Sequence, residues 1–218
     1  MGIASDSIST FQDRIAGFRS KYSDDWSEWM TTPAGDRARE LKRILGKWQA
    51  CRSNALRSTK AGTNPLHSPP YLVGLLSRAN PHVATLRSFD LRSKKSYMKR
   101  TCAALEALWD ILEDLSYARP NPKRKAPFPR NGKAGVVGIS KATLLLTEGR
   151  VGPAFDSQVR KKMGIPRISN AKEWIAALRC ATVDIEEFER RNRTTLQAAT
   201  KSDLPAGRLY DMALGPSQ

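Results

Sequence analysis

Between residues 98 and 115 apolar side chains fall at Met98, Cys102, Leu105, Leu108/Trp109, Leu112 and Leu115. Steps of three and four place them along one stripe of a 3.6-residue helix. Ala38, Leu41, Ile44, Leu45 and Trp48 form a second such stripe, and Trp174/Ile175, Leu178, Ala181/Thr182, Ile185 and Phe188 a third. Strand-like alternation is scarce. Residues 135–139 are the one apolar β-branched cluster, and glycine breaks it. The expected fold class is therefore all-α, a compact multi-helix domain. A length of 218 residues, 40% of them hydrophobic, fills one core or two small lobes sharing one. One helical domain is expected over residues 1–218, with N-terminal helices in 1–117, a connection at 118–135 and C-terminal helices in 136–218.

Breakers punctuate the stripes. Asn64-Pro65, Ser68-Pro69-Pro70 and Asn80-Pro81 interrupt the stretch between the first stripe and the longest one. The connection at 118–135 holds Pro120, Pro122, Pro127, Pro129, Gly132 and Gly135, which no regular helix accommodates. A linker and a loop that orders on DNA both fit it.

Charge narrows the function. Thirty-seven Lys+Arg against 21 Asp+Glu leave a formal net charge of +16, beyond the magnitude of about 2–8 that solubility asks of a small domain. Such a field attracts polyanions. It is also segregated. Residues 115–147 contain no acid but carry Arg119, Lys123, Arg124, Lys125, Arg130, Lys133 and Lys141. Between Arg37 and Lys60 only Glu40 interrupts a run of eight cations. A basic face and a nucleic-acid partner are expected. Cys51, Cys102 and Cys180 are widely spaced without a C-x-x-C pair, so no metal and no cofactor is expected. No apolar run reaches the ~20 residues of a membrane span. These features suggest a cytoplasmic monomer, nucleoid-associated if bacterial, with no membrane partner.

The chemistry-bearing stretch is Val136-Val137-Gly138-Ile139-Ser140-Lys141-Ala142-Thr143, followed by Gly149, Gly152-Pro153-Ala154-Phe155-Asp156-Ser157-Gln158-Val159-Arg160-Lys161-Lys162. A glycine turn is expected to lead into a short apolar helix starting near Ser140. Its free backbone N–H groups would form a phosphate seat. Lys141 near that positive end would have a lowered pKa and serve as an amine nucleophile for a sugar C1′. Asp156 stands at the mouth of the next helix. A loop folded back over the first helix would bring its carboxylate to the same cleft, where it would stabilise an oxocarbenium ion or activate water.

The stretch from Gly138 to Val159 resembles the helix-hairpin-helix DNA glycosylase superfamily of endonuclease III and adenine glycosylase, in a divergent, shorter branch. The resemblance covers about a tenth of the chain. It implies a helix-hairpin-helix element, a cleft between two helical lobes, and base excision from duplex DNA, damaged or modified, by cleavage of the N-glycosidic bond. It casts Gly138-Ile139-Ser140 as the DNA-gripping hairpin tip, Lys141 as the nucleophile of abasic-site lyase activity, Gly152-Pro153 as the loop and Asp156 as the catalytic aspartate. Val159 and Arg160 continue the match. Val137 replaces the usual proline, Ser140 the second glycine, and Lys141 falls one position early. Lys123, Arg124, Lys125, Arg130, Lys133, Arg160, Lys161 and Lys162 join the DNA-binding set.

Plainer roles stand beside these. Asp156 is a favoured N-cap residue, and Lys141 suits a phosphate contact as well as a nucleophile. Trp48, Trp109 and Trp174 belong to the core. Trp26, Trp29 and Phe128 are candidate base-stacking or wedge residues. His67 and His82 fall in proline-flanked segments without a partner motif. A Ser140–Lys141 dyad is disfavoured because adjacent helical residues point apart. The alternatives to a glycosylase are a non-catalytic DNA-binding protein clamping phosphate, and an RNA- or protein-binding helical module.

Overall fold

The computed structural model describes residues 2–51, 65–117 and 132–216. Ten α-helices occupy them: α1 (Ile8–Ala16), α2 (Ser20–Thr31), α3 (Arg37–Lys47), α4 (Pro69–Thr85), α5 (Lys99–Leu112), α6 (Val136–Leu146), α7 (Ser157–Met163), α8 (Ala171–Asn192), α9 (Leu196–Thr200) and α10 (Ala206–Leu214). The only β pairing among the described residues is an isolated bridge between Leu66 and Ser116. The chain is all-α. Lys123, Arg124, Lys125, Arg130, Phe128 and most of the proline-rich connection lie outside the described residues.

The three stripes become the inner faces of α3, α5 and α8. Leu41, Ile44, Leu105, Leu108, Leu112, Leu178, Ile185 and Phe188 are all fully buried. Met98 departs from this pattern: it is the N-cap of α5 and largely exposed. The proline-punctuated stretch is the larger correction, because Pro69 to Thr85 is one helix. Pro69 and Pro70 sit in its first turn, where a missing N–H leaves no gap in the helical ladder. Pro81 lies inside the helix, four residues before its end, and removes one bond of the ladder without ending it. His82 is accordingly helical, while His67 stacks on Tyr71 with ring centroids 3.8 Å apart. Leu72, Leu75 and Ala79 are the buried face of α4, which packs against α3 and α5.

Trp26 and Trp29 are also corrected, since both are buried. The spacing of α2 gives little apolar signal, yet Trp29 fills the core and its Nε1 donates to the Leu145 carbonyl at 2.7 Å. That carbonyl is in the last turn of α6, where intrahelical acceptors have lost their partners.

Helix α6 lies at the centre, against α3 and α5. Every residue from Gly138 to Leu145 is buried. An apolar helix without a polar face has to be surrounded, and its hydroxyls turn back onto its own backbone: Ser140 to the Val136 carbonyl at 2.6 Å, Thr143 to Ile139 at 2.9 Å, Thr147 to Thr143 at 2.7 Å. The expected start of this helix is corrected from Ser140 to Val136, with extended Gly135 as N-cap. Gly138 is therefore a packing glycine rather than a turn glycine. A Cβ there would lie 2.9 Å from Cys51 Sγ and 3.4 Å from the Ala50 carbonyl oxygen.

Beyond α6 the chain turns through Gly149 and Gly152 and abuts α10 at Gly207. A Cβ on Gly207 would stand 2.5 Å from the Gly149 oxygen and 2.7 Å from that of Arg150, both backbone atoms. Gly207→Ala is expected to cost roughly 1–3 kcal/mol as overpacking, read as a lowered urea midpoint. Gly74→Ala on α4, where nothing lies within 4 Å of the new methyl, should be neutral or raise stability by up to about 1 kcal/mol.

Candidate functional site

One hydrogen bond closes the loop between the two residues singled out by sequence. Ser140 Oγ, already donating to Val136, accepts the Phe155 N–H at 3.0 Å. One residue earlier the Ala154 N–H donates to Asp211 Oδ1 at 2.9 Å. These contacts hold residues 154 and 155 on α6 and α10. Lys141 and Asp156, the next residue on each side, consequently line the same small cleft.

Asp156 is half-buried and caps α7, its Oδ1 accepting from Gln158 N at 2.8 Å and Val159 N at 2.9 Å. A carboxylate there also faces the positive end of the helix dipole. Lys141 is only 9% exposed, and its Nζ donates to the Trp48 carbonyl at 3.2 Å and sits 5.7 Å from the Trp48 ring centroid. It occupies the second turn of α6, past the reach of the dipole effect invoked from sequence. Trp48 is itself anchored, because its Nε1 donates to buried Asp25 at 2.7 Å, which also takes Lys47 at 2.7 Å.

Sequence reasoning missed the other charged lining, Arg208 and Asp211 of α10, paired at 2.9 Å and both buried. Arg208 stacks between Trp26 and Phe18, 4.6 and 5.1 Å from their centroids. Burial lowers the guanidinium pKa of Arg208 and raises the carboxyl pKa of Asp211, and each partner's charge opposes the shift of the other. The available signal was an i,i+3 charge pair inside the otherwise apolar helix Ala206–Leu214. Tyr22, Gly215 and Pro216 complete the rim. Burial raises the Tyr22 phenol, with the Asp156, Asp25 and Asp211 charges pushing the same way and Arg19 opposing. The cleft has a volume of about 30 Å³, enough to hold ordered water.

The DNA-contact residues expected from sequence scatter more widely. Gly138, Ile139 and Ser140 are buried inside α6, so they form no exposed hairpin tip, because the turn lies before Val136. Lys133 pairs with Glu113 at 2.9 Å. Lys162 donates to the carbonyls of Leu214 and Gly215 at 2.9 and 3.2 Å, which commits it to the end of α10. Burial, followed by the Arg14 charge, lowers its pKa. Arg160 is half-buried beside the Pro166 carbonyl, and Lys161 is exposed. The basic run from Arg37 is partly neutralised, with Arg39 on Asp36, Arg43 on Glu28 and Glu40, and Lys47 on Asp25.

Comparison of the chain with protein-family models, curated proteins and solved structures gives no match. Among the described residues no helix is long and apolar enough to cross a membrane.

Asp156→Ala should destabilise the fold by about 1 kcal/mol through the lost cap, whereas Asp156→Asn, an equally good cap, should stay close to the parent. Urea unfolding of the two variants side by side separates the structural role of this carboxyl from the role of its charge.

Proposed function

We propose that the protein binds duplex DNA as a monomer and is of the DNA glycosylase type, with Lys141 and Asp156 as its reacting pair. The observation that carries this reading is that these side chains, fifteen residues apart in sequence, line one cleft. In the hydrolytic form the C1′–N bond breaks with its electron pair leaving on the base. Asp156 supports the cationic sugar, and water adds at C1′ with loss of a proton. In the lyase form the neutral Lys141 amine adds at C1′ in place of water. Asp156 suits its role because two backbone N–H groups already fix one carboxyl oxygen. The reading requires the cleft, about 30 Å³ in volume, to widen before a sugar enters.

A second reading, DNA binding without chemistry, is favoured by that small volume and by the tie of Lys141 Nζ to the Trp48 carbonyl. The net charge of +16 supports both. Borohydride trapping on abasic-site duplex separates them. The lyase form yields a covalent adduct with the parent protein and none with a folded Lys141→Gln variant. Base release from a duplex that still carries its bases, without an adduct and abolished in Asp156→Asn, indicates the hydrolytic form. Neither reaction, with affinity falling steeply between 50 and 200 mM salt (roughly 10³–10⁵-fold for 6–10 phosphate contacts), leaves the binding protein. Salt-insensitive or absent binding overturns both.

A further inference from the structure

A larger cleft lies between α3 and α4, at the C-terminal end of α6 beyond the Lys141 site, and the two share no lining residue. Its volume is about 510 Å³, within the 300–1,000 Å³ typical of small-molecule sites. The floor is apolar, with Leu76, Val83, Leu86 and Leu146 among its residues. The charged lining consists of Arg37, Arg87 and Arg150 against one acid, Glu148, and among the described residues none of the three arginines has a carboxylate within ion-pair distance.

Arg37 is held in position before any ligand arrives. Its Nε donates to the Thr32 carbonyl at 3.0 Å, and its guanidinium carbon lies 4.5 Å from the centroid of the buried Trp29 ring. Those two anchors restrict the plane of the fork. The Nη groups make no hydrogen bond among the described residues, so two donors in fixed geometry stand at the wall of an apolar cleft. A guanidinium fork of this kind matches the two oxygens of a carboxylate or phosphate, and its pre-organisation reduces the entropy cost of binding.

We infer that this cleft is a binding site for a small organic oxyanion, a carboxylate or phosphate monoester on an apolar body, gripped by Arg37 with Arg87 and Arg150 adding attraction. The apolar floor takes the body. The site is independent of the proposed DNA chemistry.

The test uses the full chain and 1-anilinonaphthalene-8-sulfonate, an apolar ring system carrying an oxyanion. Saturable fluorescence with one site per chain is expected, with displacement by decanoate or decyl phosphate; whichever is tighter identifies the headgroup. Decanol, of the same chain length but uncharged, should compete at least tenfold more weakly. Arg37→Gln should weaken decanoate or decyl phosphate about tenfold, the value of a charge-assisted hydrogen bond. Should that variant fail to fold, Ser77→Trp, which puts an indole into the cleft from an exposed position on α4, should block the site. Lys172→Gln, which removes an exposed cation on α8 away from the cleft, should leave binding unchanged. Equal competition by decanol, undiminished binding in Ser77→Trp, or displacement by a short duplex at comparable concentration would each overturn the inference.

Discussion

The enclosure of α6 on every side is the constraint from which the rest of the molecule follows. A helix with no solvent face has to satisfy its polar groups within the protein, because an unpaired buried donor or acceptor costs about 1–3 kcal/mol. Ser140, Thr143 and Thr147 solve this locally, by bonding back one turn. The remaining groups reach outward: the Leu145 carbonyl accepts from Trp29 of α2, Ser140 also accepts from Phe155, and Lys141 donates to the carbonyl of Trp48 just after α3. Each demand for a partner thus orients a neighbouring element.

Both clefts are consequences of that arrangement. Lys141 at mid-helix meets the returning loop and α10, while Leu146 and Thr147 at the far end form part of the wall shared with α3 and α4. Close backbone approach is what makes the loop geometry possible, with Gly138 admitting the Ala50–Cys51 segment and Gly207 admitting Gly149 and Arg150. The Arg208–Asp211 pair belongs to the same construction. A buried ion pair is weak evidence of stability, but here Asp211 also receives the Ala154 N–H and so helps fix the position from which Asp156 emerges.

The elements legible in sequence were those with a one-sided pattern. α3, α5 and α8 each expose one face and bury the other, so their apolar residues recur at helical spacing. α4 was obscured by its three prolines, yet two of them occupy the first turn and Pro81 is accommodated inside the helix, which continues to Thr85. Gly138 read as a turn because glycine permits a turn, whereas at this position the absence of a side chain serves packing against Cys51. Trp26 and Trp29 lacked flanking apolar periodicity and were still buried, since a single indole can fill a gap between helices that its own helix does not advertise. The basic run after Arg37 overstated the open positive surface, because its partners Asp25 and Glu28 belong to a different helix.

By itself the chain determined its helical class, the faces of its longest stripes, its cationic excess and the role of Asp156 as the first residue of a helix cap. All of these are local or compositional, set by spacing and side-chain type within a few turns. Tertiary structure alone decided that Lys141 and Asp156 line one cleft, that Arg208 and Asp211 line it with them, and that Arg37 is held over Trp29 beside an apolar hollow. Those juxtapositions depend on which distant backbones approach closely enough for a hydrogen bond or a glycine contact, and no periodicity along the chain encodes that distance.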